Sequence, residues 1–297
     1  MFCDLHMHST ASDGSDAPQQ LPALARAAGL AAIALTDHDT TAGVDACARA
    51  CLDEGLAFLP GIELSASPQQ LPGRREDGKT GTLHILGYGP RVPGSARLVE
   101  IQQRLVQARE QRNPEIVANL NKLGVAIAYD EVLELADRQG AHIVGRPHIA
   151  QVLVQRGYVR TIHEAFARYI GEGAAAYARK DRLPPEEAIE VIHGAGGVAV
   201  LAHPVQLRRT PADTEAAVAW LARLGLDGIE TRHSDHSPRD VEHFEQLAKR
   251  FNLIPTGGSD YHGSRKNIPL NNCRVAYEAF TRLREIAEKN SSTDERG

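Results

Sequence analysis

Along the 297 residues, short apolar runs ending in polar residues alternate with stretches of helical period. The runs are "FCDLHMH", "GLAAIALTDHD", "LAFLPGIELS", "GTLHILGYG", "GGVAVLAHP", "GLDGIETRH" and "NLIPTGGSDYH". Between several of them stand amphipathic segments such as "APQQLPALARAAG", "GVDACARACLDEG", "LPPEEAIEVIHGAG" and "PRDVEHFEQLAKRF". Strand followed by helix, repeated, predicts an α/β chain with a parallel sheet, and seven such strands suggest a closed or nearly closed barrel. One stretch breaks the alternation. About a hundred residues between "HILGYG" and "VAVLAHP" read mostly as helix and exceed what a barrel crossover needs. Residues 97–182 are therefore expected to form a small helical subdomain leaning over the barrel mouth, with 1–96 and 183–297 making the barrel.

Each run carries an ionisable residue within it or at its carboxyl end. In order these are His6 and His8, His38 between Asp37 and Asp39, Glu63, His84, His203, His233, and Asp260 with His262. The carboxyl ends of parallel barrel strands share one face, and active sites sit there. Thirteen histidines against seven tyrosines and one tryptophan are the oddity of the composition, and this convergence locates many of them. Residues i and i+2 of a strand share a face, so His6 and His8 can reach a single ion. A buried, unpaired Glu63 would cost several kcal/mol, a penalty that a metal removes. A lone strand-end histidine such as His84 or His233 has a plainer reading as a hydrogen-bonded structural residue. Taken together, imidazoles and carboxylates without thiolate favour catalytic Zn, Mn or Fe over a closed structural zinc site. The candidates suffice for two or three ions, an arrangement suited to phosphoester hydrolysis.

Composition narrows the partners. The chain is 42% hydrophobic and 24% charged, as ordinary globular proteins are. A net charge of −5 and a pI near 6.2 argue against coating nucleic acid by bulk charge, yet leave room for a nucleotide in a local basic pocket. "MFCDLH" lacks the regions of a signal peptide, and no apolar run approaches the roughly 20 residues that span a bilayer. The four cysteines show no disulfide framework, and Cys47 and Cys51 fall on one helix face. A soluble cytoplasmic protein with reduced thiols is expected.

"DLHMHSTASDGS", "LTDHDT", "GIELS", "HILGYG", "VLAHP" and "GGSDYH" resemble the successive motifs of the PHP (polymerase and histidinol phosphatase) family, across the whole chain except its central segment. The resemblance implies a distorted (β/α)7 barrel with a trinuclear metal centre. It places a first ion on His6, His8, Glu63 and Asp260, and a second on Glu63, bridging, with His84 and His203. A third falls to Asp13, His38 and His262. A hydroxide shared by the first two ions, and so held by His6, His8, Glu63, His84, His203 and Asp260, would attack phosphorus in line. Mn2+ is the expected metal, with Zn2+ and Fe2+ as alternatives; Asp13 stands where some relatives carry histidine. His233 and His236 fall outside this set and either contact phosphate or leaving group or give support from behind. Asp37 and Asp39 either orient ligand imidazoles or are solvated loop acids. Asp16 is expected to cap a helix before Pro18.

Within the insert, "GRPHIA" puts Arg146 and His148 at a helix N-terminus, with Pro147 at its first position, where an anion is favoured. "YARKDR" clusters Arg179, Lys180 and Arg182 where the insert rejoins the barrel, as a phosphate site or a solvated linker. Together with "AYARK" and "AGGVAVLAHP", the insert is similar to one PHP branch, that of bacterial 3',5'-nucleoside bisphosphate phosphatases and exonucleases acting 5' to 3' on short RNA. That likeness implies a small nucleotide substrate with two phosphates, pAp giving AMP and phosphate, and short RNA as a further substrate. Arg146, His148 and Lys180 would hold the second phosphate. The alternatives are a histidinol-phosphate phosphatase, a metal-dependent amidohydrolase, and an inactive metal-binding module like those of some DNA polymerases. No protein partner and no membrane is implied.

Overall fold

In the computed structural model, which describes residues 1–73, 81–141 and 143–293, each apolar run contains a strand. These are β1 (Phe2–Asp4), β2 (Leu30–Leu35), β3 (Ala57–Ala66), β4 (Leu83–Tyr88), β5 (Val198–Leu201), β6 (Gly228–His233) and β7 (Ile254–Gly258). A short eighth strand, β8 (Val275–Ala276), was not legible in the pattern. The helices are α1 (Leu21–Ala27), α2 (Val44–Glu54), α3 (Ala96–Lys122), α4 (Tyr129–Arg138), α5 (Arg146–Gln155), α6 (Ile162–Ala165), α7 (Pro185–Gly194), α8 (Pro211–Arg223), α9 (Pro238–Arg250) and α10 (Tyr277–Thr293). Among the described residues no helix is long and apolar enough to cross a membrane. All four cysteines are free thiols; Cys3, Cys47 and Cys51 are buried, whereas Cys273 is only half-buried.

The sheet runs in the order β7-β6-β5-β4-β3-β2-β1-β8. It is not wholly parallel, which corrects the expectation from alternation. β4 is antiparallel to both β3 and β5, and β8 is antiparallel to β1. Between β3 and β4 the described residues hold a 3-10 turn, Pro68–Gln70. β4 runs back along β3, and His84 reaches the rim at the amino end of its strand, opposite Ser65.

The barrel closes beyond the formal ends of β1 and β7. Leu5 N–H donates to Gly257 O (3.3 Å), Asp260 N–H to His6 O (2.9 Å) and His8 N–H to Tyr261 O (2.8 Å). This seam explains why His6 and His8, which lie past β1, still keep extended geometry and face inward. Asp16 does not cap a helix: the N-cap before Pro18 is Ala17, and Asp16 instead accepts from the Tyr261 hydroxyl (3.0 Å), tying the first loop to the last. Caps elsewhere follow sequence logic, as where the Ser237 and Asp240 side chains cross-bond the start of α9.

Of four apolar clusters, two share one helix. Leu98, Ile101 and Leu105 of α3 pack with α7, α8 and α9 against the barrel, whereas Ile116, Val117 and Leu120 of the same helix join a second cluster that reaches Ala178. The change of core thus falls inside α3. Pro147 occupies the second position of α5, one later than expected, with Arg146 first and Gly145 as N-cap.

At the seam a side chain has no room. A Cβ on Gly258 would lie 2.4 Å from both the backbone nitrogen and the Cβ of His6. Gly258→Ala is accordingly expected to lose about 1–3 kcal/mol in urea unfolding, as overpacked sites do. Gly94→Ala, whose nearest neighbour would be 4.0 Å away, serves as control. Equal stability of the two variants would contradict this reading of the seam.

Candidate functional site

β1 and its extension, β3 and β4, and the loops after β2, β5 and β7 bring nine expected side chains to one rim. Glu63 lies at the centre and is buried. Its Oε1 is 2.7 Å from His84 Nδ1 and 2.9 Å from His203 Nε2. Its Oε2 is 2.8 Å from His38 Nδ1, 3.3 Å from His8 Nε2 and 3.4 Å from His6 Nε2. Asp260 Oδ1 lies 3.2 Å from His8 Nε2 and 3.7 Å from His6 Nε2, and Asp13 Oδ1 lies 3.3 Å from His262 Nε2. Four overlapping groups place their donor atoms within 4.8 Å of one another: His8, Asp13, His38 and His262; His6, Glu63 and His203; His38, Glu63 and His84; and His6, His233 and Asp260. His8 thus faces both Asp13 and the Glu63–Asp260 pair, and His233, not counted among the ligands from sequence, lies 3.6 Å from Asp260 Oδ2.

The donor atoms fit cations better than one another. Six buried ring nitrogens, His6 Nε2, His8 Nδ1 and Nε2, His38 Nδ1, His203 Nδ1 and His233 Nε2, have no well-aligned hydrogen bond, and neither does Glu63 Oε2. Such atoms cost free energy unless something bonds them. Burial pushes the His84 imidazole down to about 3 against the pull of Glu63, and burial with Lys266 takes His262 down to about 4. Both rings are neutral at pH 7, with lone pairs free to ligate. For His8, burial works downward, but the carboxylates of Asp260 and Glu63 beside it outweigh that and carry the ring to about 9. A cation entering there must displace that proton.

Behind the cluster stand carboxylates that sequence reasoning missed or misread. Glu230 is fully buried in β6; it takes the His6 Nδ1 proton (3.1 Å) and the His203 N–H (2.7 Å). A carboxylate only accepts, so Glu230 fixes His6 with Nε2 toward the rim. The available signal was a glutamate inside the apolar run "GLDGIETRH", the argument applied to Glu63. Asp37 and Asp39 follow neither reading given to them. Both are buried; Asp37 accepts from Ser9 N–H, Ser9 Oγ and Ser12 Oγ, and so shapes the first loop. Asp39 takes Ser65 N–H (2.7 Å), Lys180 Nζ (2.9 Å) and the Arg109 guanidinium. Asp39, His203 and Asp260 have φ of +56°, +27° and +55°, a left-handed region in which such residues cost about 1–3 kcal/mol each.

A cavity of about 280 Å³ opens from this rim toward the insert. Asp13, His38, His84 and His262 line one side. Arg109, Arg112, Arg146, Lys180, Arg182, Arg265 and Lys266 also line it, and Asp13 is the one carboxylate among the lining residues. Arg112 is buried, bonded among the described residues to the amide oxygen of Asn113 alone, and its charge is opposed first by burial and then by Arg146 and Arg109. Arg146 donates to Ile170 O (3.2 Å) and lies over the rings of Phe166 and Tyr177. Arg109 and Arg112, three apart on α3, went unnoticed as one cationic face. His148 does not line the cavity: its Nδ1 accepts the Gly145 N–H (3.0 Å) and its Nε2 lies 3.4 Å from Arg265. His236 packs against Phe244 and His233, with Nδ1 3.1 Å from Thr231 O, and does not line the cavity either.

A family model described as the PHP domain matches residues 4–195. A 5'-3' exoribonuclease of Haemophilus influenzae is 36% identical over 261 residues, 87% of this chain and 89% of its own. A 3',5'-nucleoside bisphosphate phosphatase of Chromobacterium violaceum is 33% identical over 87% of this chain and 86% of its own. A phosphoribosyl 1,2-cyclic phosphate 1,2-diphosphodiesterase of Eggerthella lenta is 32% identical over 93% and 99%. Among solved structures, a Bifidobacterium adolescentis chain assigned as a metal-dependent phosphoesterase superposes with a TM-score of 0.82 at 31% identity, covering 95% of this chain and 94% of that one.

One carboxylate, Asp39, serves two partly buried cations. Burial opposes its charge, but Lys180 and Arg109 hold it well below the usual carboxylate range, whereas burial and Arg109 carry Lys180 down to about 7. Asp39→Asn suits the left-handed backbone yet strands both cations, and a loss on the order of 3 kcal/mol is expected at pH 7 in urea unfolding. Because the folded pKa is depressed, this contribution is present above about pH 4 and fades as pH falls below it. The gap between wild type and variant should narrow there, and again as pH rises through about 7, where Lys180 loses its proton; a neutral substitution at pH 7 would contradict this account of Asp39.

Proposed function

The chain belongs to the PHP domain family, and we propose that it is a metal-dependent phosphoesterase that removes the 3'-phosphate of 3',5'-nucleoside bisphosphates. The products would be a nucleoside 5'-monophosphate and inorganic phosphate. One observation carries this reading: a single cavity joins the imidazole–carboxylate rim to arginines that have no carboxylate partner among the described residues. Such a cavity suits a small molecule with phosphate at both ends. Seven cations against Asp13 disfavour a substrate bearing an ammonium group, such as histidinol phosphate.

His6, His8, Glu63 and Asp260 would hold one cation, Glu63 with His84 and His203 a second, and Asp13, His38 and His262 a third. The absence of thiolate and the presence of three carboxylates suit Mn2+. Bound there, divalent cations would generate a nucleophile from water at neutral pH and neutralise phosphoryl oxygens. Glu230 keeps His6 presenting Nε2, and Lys266, 2.6 Å from Asp260, brings a further cation to the phosphoryl end. At the insert end Arg112, Arg146 and Arg182 are the groups free to hold the second phosphate. Lys180, engaged by Asp39, and His148, behind Arg265, give that role up. The 36% identical exoribonuclease supports a second substrate for the same arrangement. A short 5'-phosphorylated RNA would place its 5'-phosphate on the arginines and its first diester at the rim.

Phosphate release with Mn2+ should show kcat/KM for pAp at least tenfold above 3'-AMP and 5'-AMP. Arg146→Ala should cut the pAp value by about 10–100-fold, the loss of a charged hydrogen bond. Equal release from all three nucleotides would sink two-phosphate recognition, and faster turnover of histidinol phosphate would replace the reading. Separately, Mn2+ should raise the Tm of the wild type, as any ligand of the native state does, and Glu63→Gln should abolish that rise. A rise of similar size in the variant would remove Glu63 from the metal site.

A further inference from the structure

On the insert side of the cavity, Phe166, Tyr177, Ile162 and Gln151 line the wall beside Arg146. Phe166 begins a five-residue π turn, Phe166–Ile170, the kind of widened turn that recurs at functional sites. Gln151 has a property its neighbours lack: its Nε2 is buried and has no acceptor among the described residues. Amide orientations are often interchangeable, but here a chain of bonds fixes them. Arg265 can only donate, and it donates to Gln139 Oε1. The Gln139 amide must therefore present Nε2 to Gln151, where it donates to Oε1 (2.7 Å). What remains of Gln151 is a donor. Three residues from the loop after β7, from α4 and from α5 thus set the polarity of one point on the cavity wall.

An apolar and aromatic wall with one fixed donor fits a flat heterocycle that offers a ring nitrogen or carbonyl oxygen at its edge. Aromatic side chains stack bases irrespective of their identity, and a buried unpaired N–H gains a full hydrogen bond when an acceptor arrives. We infer that Gln151, held in one orientation by Gln139 and Arg265, is a specificity-determining residue that accepts the nucleobase of the substrate against Phe166 and Tyr177. The inference rests on the nucleotide reading above and sharpens it, because it separates nucleotides from base-free sugar phosphates.

Calorimetric binding of AMP and of ribose 5-phosphate to the full chain, with and without Mn2+, tests it directly. Both ligands carry one 5'-phosphate, so the arginines act equally on each. Wild type should bind AMP about tenfold more tightly than ribose 5-phosphate, as one hydrogen bond and one stack allow. Gln151→Leu should shrink that ratio to about threefold or less. So should the near-isosteric Gln151→Glu, which keeps the bond from Gln139 but turns the buried unpaired donor into an acceptor. A general loss of fold would lower both affinities together and leave the ratio unchanged. Equal binding of the two ligands by wild type, or an unchanged ratio in a variant that keeps the wild-type affinity for ribose 5-phosphate, overturns the inference. If the ratio behaves as stated while pAp is not hydrolysed, the base pocket stands and the phosphatase reading falls. If pAp is hydrolysed and the ratio is absent, only the base pocket falls.

Discussion

Burying Glu63 with five imidazoles, those of His6, His8, His38, His84 and His203, within 3.4 Å of its oxygens takes a carboxylate out of water at a cost of several kcal/mol. Protons alone settle that debt poorly. His84 stays neutral because burial outweighs the pull of Glu63, and six ring nitrogens around the cluster remain without an aligned partner. Divalent cations satisfy the carboxylate and the lone pairs at once. The surroundings are shaped to this demand: Glu230 turns His6, Asp260 and His203 sit in strained left-handed backbone, and Gly258 lets β7 approach β1 closely enough to set His6.

The insert answers the opposite problem. It brings cations, not carboxylates, to the other side of the cavity, and Asp39 on the barrel restrains two of them, Arg109 and Lys180. Among the described residues neither Arg112 nor Arg146 has a hydrogen-bonded carboxylate, and Arg146 opposes the charge of Arg112. A fold tolerates such a local conflict where a ligand resolves it. Because α3 contributes to both cores, the arginines on its cavity face are positioned by barrel packing at one end and insert packing at the other.

Much of this was legible in the residues. Short apolar runs carrying a histidine or carboxylate within them or at their carboxyl ends located seven strands, and the rim collects His6, His8, Asp13, His38, Glu63, His84, His203, Asp260 and His262. What escaped depended on direction and depth. Nothing in "GTLHILGYG" states that β4 runs backward, and His84 reaches the rim only because it stands at the strand's beginning. Glu230 looked like one more strand residue, although a carboxylate in an apolar run was itself a signal. Asp37 and Asp39 looked like loop acids because their partners, Ser9, Ser65, Arg109 and Lys180, lie 26 residues or more away in the chain. His148 and His236 carried the right chemistry in the wrong place. One was absorbed in starting α5 and the other in packing on α9.

The most direct measurement is anomalous diffraction from crystals grown with Mn2+, recorded near the manganese edge. Two or three peaks inside the rim cluster are expected, with the Glu63 carboxylate shared between two of them and His38 and His262 beside a third. No peak within reach of Glu63, with Mn2+ found only at surface carboxylates, would contradict the metal centre and the phosphoesterase chemistry built on it.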